Sequence, residues 1–259
     1  MKKIWLTMIS KDQKIAQNLI TKLKGYGLNA DGHFWIDDLK KMAWIAPRDE
    51  IVNSENEGWL IYANVKELEK ESIRYGLSLL VLTVTAQKGR NFPIILLFDK
   101  PYKDTGALPT PLASLENVTM EDSSVYAKIV AKLNKRSSGS LAQEYRIDVY
   151  GNPQIGQWFE IGPAQNQEWN GAIFGVSGAD ITFQAVGPRG RLPERSTLNY
   201  PVQGMKLETE KHNYIAWGVQ NPISAQHSYF VRVDSWPDSI IFGQYPTKDK
   251  AELYSVVLK

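Results

Sequence analysis

One stretch of the chain, residues 58–99, constrains the fold more than any other. It holds two short apolar runs, at residues 59–63 and 92–98, and neither run alternates polar with apolar residues. Such runs are typical of strands that are covered on both faces. Between them, apolar residues recur at helical spacing and occupy most of the helix circumference: Ile73, Leu77, Leu79, Leu80, Val81, Leu82 and Val84. The stretch therefore predicts a buried helix that crosses over between two parallel strands, which defines an α/β domain.

Strand and helix patterns alternate through the rest of the first 134 residues. The other predicted elements are strands at residues 4–9, 28–36 and 117–120, helices that begin at Ser10 or Asp12, at Asp37 or Asp38 and near Val125, and loops at residues 48–57 and 99–111. The second of these helices is expected to end at Trp44, before Pro47. This order predicts a doubly wound, mostly parallel sheet of the flavodoxin-like type.

The pattern changes after residue 134. Residues 135–139 (KRSSG) predict a linker, and helical periodicity is replaced by short runs between Gly, Pro and Asn. The runs lie at residues 145–150, 157–161, 173–176, 180–186, 205–208, 214–219, 229–233, 239–242 and 252–258. Alternate residues form apolar sets: Tyr145, Ile147 and Val149; Ile215, Trp217 and Val219; Tyr229, Val231 and Val233. We therefore predict an α/β domain at residues 1–134, a linker at 135–143 and an antiparallel β-sandwich at 144–259.

Composition excludes several classes of protein. The 259 residues include no cysteine, which excludes disulfides, thiol catalysis and cysteine-ligated metals. The net charge is only +2 and neither half is strongly basic, which argues against binding to nucleic acid. No apolar segment is long enough to span a membrane, and the first residues lack the long apolar core of a signal peptide. A cytoplasmic protein is expected.

Polar residues follow the predicted strands at the edge where doubly wound sheets bind ligands. They are Ser10, Lys11 and Asp12 after the first strand, Asp37 and Asp38 after the second, Asn64 after the third, and Asp99 and Lys100 after the fourth. A phosphate-accepting receiver domain needs an aspartate where Asn64 stands, and the segment ISKDQK lacks the Ser, Thr and Gly residues of a flavin phosphate loop. Neither GxGxxG nor a P-loop is present. No cofactor is therefore expected, and the pair Asp37/Asp38 is interpreted as a helix cap with a solvated neighbour.

The central stretch resembles the Toll/interleukin-receptor-like domains in layout. In WLIYANVKELEKESIRYGLSLL followed by FPIILLF, a strand, a polar turn, a Glu-bearing helix and an apolar strand come in the order of that family, and the similarity extends loosely over residues 1–134. In the family's enzymes a glutamate near the start of this helix serves NAD cleavage. Gly76 stands about where that acid is expected and Glu71 lies too early, so the resemblance implies the fold without the active site. Recruitment of Glu69 or Glu71 stays open, beside the interpretation that both acids only favour the helix N-terminus.

The edge of the central helix is a candidate binding region. Arg74, Tyr75 and Gly76 interrupt its apolar surface. Arg74 can hold an anion, or it can pair with Glu71 or Asp38. Gly76 costs about 1 kcal/mol relative to alanine unless close packing or a ligand requires it.

A second candidate region is the turn-forming loop at residues 187–195, which concentrates Arg189, Arg191 and Arg195. The loop can grip an acidic partner or a phosphate, dock on acidic residues of the first domain, or be solvated.

Histidines and tryptophans carry weaker signals. The chain has three histidines, His33, His212 and His227. None of them pairs at metal-ligand spacing, so no metal is expected. Trp217 is expected in the core, and a core position is also the favoured interpretation for the other aromatic residues of the β half. Trp169 and Trp236, which are flanked by polar residues, are the better candidates for an exposed sugar-binding platform.

These observations predict a bacterial-type cytoplasmic recognition or signalling protein with two interaction domains and no catalytic activity. Its expected partner is a protein or a small anionic ligand, and self-association is left open. The candidate binding residues are Ser10, Lys11, Asp12, Asp38, Arg74, Tyr75, Arg189, Arg191 and Arg195. Two alternatives stay open: an NAD- or nucleotide-cleaving hydrolase with a displaced acid (Glu71, Asp38 or Asp12), and a glycan-binding module in the β-sandwich.

Overall fold

The computed structural model describes residues 1–102, 108–134, 144–246 and 252–259. The chain divides into two compact units, Met1–Ser140 and Leu141–Lys259. The first unit is α/β and the second is built of β-strands. The segment predicted as a linker, residues 135–143, lies outside the described residues.

The α/β unit is built on a five-stranded, all-parallel sheet with the strand order β2-β1-β3-β4-β5. Its strands are β1 (Lys2–Met8), β2 (Leu28–Phe34), β3 (Asn56–Ala63), β4 (Ile94–Phe98) and β5 (Glu116–Thr119). Its helices are α1 (Gln13–Gly25), α2 (Arg48–Val52), α3 (Glu71–Lys88), α4 (Thr110–Ala113) and α5 (Val125–Asn134), with a 3-10 helix at Ala43–Ile45. The α/β class predicted from the apolar crossover is confirmed.

The inner strands of this sheet, β1, β3 and β4, are buried on both faces. On one face, Leu60 of β3 belongs to a cluster with Leu19 of α1 and Ile129 of α5. On the other face, Thr7 and Trp59 are fully buried, and Trp59 Nε1 donates a hydrogen bond of 2.8 Å to Thr7 Oγ1. Burial on both faces is the physical reason that the strands have continuous apolar runs.

The segment between β2 and β3 differs from its prediction. Residues 39–42 form turns instead of a helix, and α2 occupies part of the segment predicted as a loop. The Lys41 N–H donates a 3.0 Å hydrogen bond to Asp38 Oδ1, which closes a turn. Met42 then adopts a left-handed conformation with φ of 50°, which interrupts a right-handed helix. Pro47 starts α2, whose first turn is acidic and therefore suits the positive end of the helix dipole.

The β unit consists of two antiparallel sheets, with the strand orders β6-β7-β12-β9 and β10-β11-β8-β13-β14. The strands are β6 (Tyr145–Asn152), β7 (Gly156–Pro163), β8 (Ala172–Ser177), β9 (Ile181–Pro188), β10 (Val202–Glu208), β11 (Asn213–Val219), β12 (His227–Val233), β13 (Ser239–Gln244) and β14 (Leu253–Val257). Aromatic rings connect the two sheets: the centroids of Phe159 and Phe174 are 5.2 Å apart, and those of Tyr145 and Phe242 are 5.0 Å apart. These rings form part of the core of the unit.

The predicted inward set of β11 is wrong, and one of the two tryptophans named as candidates for exposure is buried. Trp169 is only 5% exposed, and its backbone exchanges two hydrogen bonds of 2.9 Å with Ile223. On β11, Ile215 of the predicted inward set is 38% exposed and Trp217 is half-buried, whereas the alternate residues of that strand are buried. Trp236, the other predicted platform residue, is half-buried.

Candidate functional site

In the parallel sheet, the direction in which consecutive strands are added reverses between β1 and β3, and the candidate site lies at the carboxyl ends of these two strands. These strands are neighbours, with Met8 opposite Tyr62, and the Ile9 N–H donates a 3.0 Å hydrogen bond to the Tyr62 carbonyl. The chain passes from β1 to the outer strand β2, but from β3 it passes to β4 on the opposite side. The segments 9–12 and 64–70, which leave β1 and β3, therefore diverge and flank an open position. We call this position, with the first turns of α3, the switch-point edge.

Three polar atoms at the switch-point edge are buried without a hydrogen-bond partner among the described residues. They are Ser10 Oγ after β1, Glu67 Oε2 after β3, and Arg74 Nε in the first turns of α3. All three residues are half-buried. A buried polar atom without a partner costs about 1–3 kcal/mol, so three of them near one edge are unusual. One acceptor, one donor and one hydroxyl that can serve as either are thus left for a ligand or for water.

Glu67 supplies the carboxyl group of this set, and its surroundings shift its pKa. Burial raises the pKa of Glu67. A hydrogen bond with the Asn64 backbone and the charge of Lys70 oppose that rise, and the nearby Asp99 adds to it. Burial also raises the pKa of Tyr62, with further contributions from Asp99, Asp12 and Glu67. Three carboxyl groups therefore act on one tyrosine, and the electrostatic environment beside it is acidic.

The other acids at this edge are held by structural partners. Asp12 caps α1 as predicted, because its Oδ1 accepts the Ile15 N–H at 3.0 Å. Asp99 Oδ1 accepts the Val65 N–H at 3.0 Å and so ties the end of β4 to the segment after β3. These two carboxylates organise the loops, whereas Glu67 keeps an oxygen without a partner.

Asp37 and Asp38 also bind neighbouring groups. Asp37 Oδ2 accepts a hydrogen bond of 2.9 Å from the Ser72 hydroxyl at the start of α3. Asp38 closes the turn with the Lys41 N–H and forms an ion pair of 3.6 Å with the Lys41 ammonium group. Both acids therefore fix the chain between β2 and α3. Lys11, the remaining predicted residue of this edge, is exposed.

The three residues at the edge of α3 differ in their surroundings. Arg74 is half-buried, whereas Tyr75 is fully buried and belongs to the core. A Cβ atom on Gly76 would lie 2.9 Å from Cζ2 of Trp35 and 3.3 Å from Cβ of Trp44. Close packing therefore accounts for this glycine, and of the three residues only Arg74 keeps an atom available at the edge.

Glu67 is the candidate residue that sequence reasoning missed. In the polar run VKELEK it looks like a solvated acid beside Glu69. In the structure, Asn64 Oδ1 accepts the Lys66 N–H at 3.0 Å, and the Asn64 carbonyl accepts the N–H groups of Glu67 and Leu68. This turn folds the segment back, and Leu68 is fully buried. An Asn directly after a buried strand, four residues before a leucine, was the available signal.

The arginine loop of the β unit does not gather its cations at one point. Arg189, Arg191 and Arg195 are all exposed. The Arg189 N–H donates to the Gln226 carbonyl at 2.9 Å, and the Arg191 side chain pairs with Glu194 at 3.4 Å. Arg195 instead lines a cavity of the β unit. The three residues therefore have separate surroundings.

An ion pair between Arg146 and the buried Glu160 anchors the loop at residues 187–195. Glu160 is 4% exposed and accepts hydrogen bonds from Ser228 Oγ at 2.6 Å, from the Gly190 N–H at 3.0 Å and from Tyr150. Arg146 Nη1 lies 4.0 Å from the Glu160 carboxylate and also donates to the Ser228 hydroxyl. Burial and then the nearby Arg189 lower the pKa of Arg146 to about 10, against the opposing effect of Glu160. The arrangement is a structural anchor.

Metal binding and membrane insertion depend on further features of the described residues. Across residues 1–102, 108–134, 144–246 and 252–259, no group of three or more His, Asp or Glu side chains could hold a metal ion. His33 accepts a hydrogen bond from Trp5 Nε1 at 2.9 Å, and burial lowers its pKa to about 4. None of the helices in the described part of the chain has the length and apolar character needed to cross a membrane.

Fold and site together define an α/β unit with unsatisfied polar groups at the carboxyl edge of its sheet, followed by an antiparallel β unit. Comparison with models of known protein families and with curated proteins gives no match.

Proposed function

We propose that the chain is a non-enzymatic recognition or signalling protein with two interaction domains, and that its α/β unit binds a small polar ligand at the switch-point edge. The strand order 2-1-3-4-5 supports a doubly wound, flavodoxin-like arrangement, in which ligands bind outside the carboxyl ends of the strands where the order reverses. The Toll/interleukin-receptor-like layout is one version of this arrangement. Ring contacts between the sheets of the β unit support a β-sandwich.

The observation that carries the proposal is the set of buried atoms without partners on Ser10, Glu67 and Arg74. Buried polar groups are almost always hydrogen-bonded, so an unsatisfied set at the expected position of a ligand is evidence for one. The segments that bear them are otherwise well ordered by Asp12, Asn64 and Asp99. His33 Nε2, Trp35 Nε1 and Asn56 Oδ1 of the α/β unit are also buried without a partner among the described residues, but none of them lies in the segments that leave β1 and β3.

The chemistry of the three groups favours a nucleotide-like ligand. The Glu67 carboxylate accepts hydrogen bonds and suits hydroxyl or amine donors, such as those of a ribose. The Arg74 guanidinium donates and suits a phosphate. Ser10 can do either. The acidic surroundings of Tyr62 oppose a bare polyanion, which favours a ligand that presents sugar hydroxyls to the acids and its anionic group to Arg74.

Titration calorimetry of the full chain with NAD and ATP tests this proposal. We expect Arg74→Gln and Glu67→Gln each to weaken binding about tenfold or more, because each removes a charged hydrogen bond. Lys66→Gln is the matched control, since Lys66 is exposed and adjacent to Glu67. Glu67→Gln should fold normally, because a raised pKa means that the ionised carboxylate opposes folding at neutral pH. No binding of either nucleotide, or an equal loss in the control, would contradict the proposal.

A second candidate is cleavage of NAD or a nucleotide, and the raised pKa of Glu67 favours it. A carboxyl group with a raised pKa can serve as a general acid or stabilise a positive transition state. Glu67, more than the acids considered from the sequence, would then be the displaced catalytic acid. Chromatography of NAD incubated with the protein distinguishes the two proposals. If the protein is an enzyme, nicotinamide should be released and Glu67→Gln should abolish the release. If NAD binds without release of nicotinamide, only the recognition role is supported.

A further inference from the structure

The β unit contains a cavity of about 310 Å³ beside β9, and its position in the fold is well defined. β9 is the outermost strand of its sheet, and β10 is the outermost strand of the other. The cavity is lined by β9, by the connection from β9 to β10, and by side chains of β10 and β11, including Phe183, Gln184, Arg195, Ser196, Gln203 and Trp217. Its volume is at the lower end of the range for small-molecule sites.

The free edge of β9 supplies backbone hydrogen-bonding groups to this cavity. Ser196 Oγ accepts the Val186 N–H at 2.7 Å and donates to the Val186 carbonyl at 3.1 Å. Val186 therefore directs both of its backbone groups away from β12. Because this direction alternates along an antiparallel edge strand, the N–H and carbonyl of Gln184 point to the same edge, where no further strand of the described part of the chain is paired with β9.

The Gln184 side chain supplies a second, independent feature. It is 5% exposed, and its Oε1 accepts a hydrogen bond of 2.6 Å from the Tyr229 hydroxyl. This bond fixes the orientation of the amide. The Nε2 group is then a buried donor without a partner among the described residues, on a side chain that lines the cavity. A ligand oxygen in the cavity would satisfy it.

Trp217 gives the cavity an apolar wall. It is half-buried, so part of its surface faces solvent. Phe183 also borders the cavity, but it precedes Gln184 on β9, so its side chain points to the opposite face of the strand, where it meets Trp158 edge-on with centroids 5.8 Å apart. A tryptophan ring suits a ligand with a flat C–H face and polar groups around its rim, which is the chemistry of a pyranose.

The charged residues at the mouth of the cavity are a carboxylate and a guanidinium. Glu194 pairs with Arg191, whereas Arg195 does not take part in that ion pair. A guanidinium beside an aromatic and amide-lined cavity suits a carboxylate on the ligand. We propose that the cavity binds a pyranose that carries a carboxylate, that is, a uronic acid or the end of an acidic glycan. This proposal rests on the recognition role of the β unit and not on the switch-point edge of the α/β unit.

The test uses the full chain and four probes, D-glucuronate, D-galacturonate, D-glucose and NAD, with binding measured by saturation-transfer NMR and calorimetry. Arg195→Ala should weaken uronate binding about tenfold or more and leave any weak glucose binding unchanged, because only the carboxylate contact is lost. Arg191→Ala is the matched control: it removes an exposed arginine from the same loop but not from the cavity lining, and uronate affinity should stay within about twofold of the unmodified chain.

The proposal would be overturned if neither D-glucuronate nor D-galacturonate bound. An equal loss of uronate affinity in Arg195→Ala and Arg191→Ala would also overturn it, because it would indicate a diffuse charge effect. Trp217→Leu gives a second criterion, since it removes the ring and should abolish uronate binding even though Arg195 is intact. Glu67→Gln separates this site from the proposed nucleotide site. It should leave uronate binding unchanged while weakening NAD, so the two proposals fail independently.

Discussion

Gly76 lies in α3 opposite two buried tryptophans that leave no room for a side chain. A Cβ atom at this position would lie only 2.9 Å from Trp35 Cζ2, which is shorter than the contacts that Cβ atoms make in proteins. Trp35 is 3% exposed and Trp44 is 2% exposed, so neither ring can move aside into solvent. The glycine therefore allows the helix to approach the segment after β2.

Gly76→Ala should destabilise the α/β unit. Alanine favours the helix by about 1 kcal/mol, but crowding in a packed core costs about 1–3 kcal/mol, so we expect a net loss of about 1 kcal/mol. Gly25→Ala is the matched control, because a Cβ atom there meets nothing within 4 Å and the substitution should be neutral or stabilising. Urea unfolding followed by circular dichroism measures both variants. Equal stability of the two would show that packing against the tryptophans does not explain Gly76.

Single residues also show how far the site could be predicted. Asp12 as a cap follows from a short polar residue between a strand and a helical stripe, and the structure confirms it. Arg74 could be predicted as a candidate binding residue, because a cation interrupts the apolar surface of the helix there. Glu67 was harder to predict: the turn at Asn64 is a local signal, but the hydrogen bond that ties this segment to Asp99 joins parts of the chain far apart in the sequence. Local sequence patterns identify residues, such as Asp12, whose partners are close in the sequence. They miss residues, such as Glu67, whose pKa is changed by burial in the folded chain.

At the scale of single elements, strands with continuous apolar runs were the most predictable. β3 and β4 are buried on both faces, so their composition alone indicates them. β7 and β12 also bury residues on both faces, but some of these are polar, including Glu160 and Ser228. Alternation of polar and apolar residues therefore does not report which face of these strands is exposed. The polar network around Arg146 satisfies these buried groups and takes the place of an apolar contact.

Glu160→Gln tests the importance of this network for the β unit. The change keeps the shape of the side chain but leaves the buried Arg146 cation without its counter-charge, and removing one partner of a buried pair typically costs about 3–5 kcal/mol. Because Ser228 mediates the contact between Arg146 and Glu160, we expect a loss at the lower end of that range, about 3 kcal/mol of unfolding free energy. Urea unfolding monitored by circular dichroism measures this loss. Glu168→Gln is the control, since Glu168 is exposed. A loss as small as that of the control would mean that the network is not an anchor.

At the scale of the whole molecule, the class of each half could be predicted because its periodicity is uniform. Helical stripes between apolar runs stop near residue 134, and short alternating runs start near residue 145. The structure divides the chain into Met1–Ser140 and Leu141–Lys259, and each of its three sheets is made of strands from one unit. Each unit also has its own buried core, with Leu60 among the core residues of the first and Phe159 among those of the second. The linker at residues 135–143 stays a prediction.

Separate cores predict that the two halves fold independently. We expect residues 1–134 and residues 144–259, produced as separate chains, each to unfold cooperatively, since each keeps all of its strand pairings. Circular dichroism and thermal denaturation of the two fragments and of the full chain measure this. The β unit divided after Pro188, into residues 144–188 and 189–259, is the control, because the division separates β9 from β12, its hydrogen-bonded neighbour, and neither piece should fold. Noncooperative unfolding of either predicted fragment would show that its core depends on the other half, and the switch-point edge and the β9 cavity could then no longer be treated as independent sites.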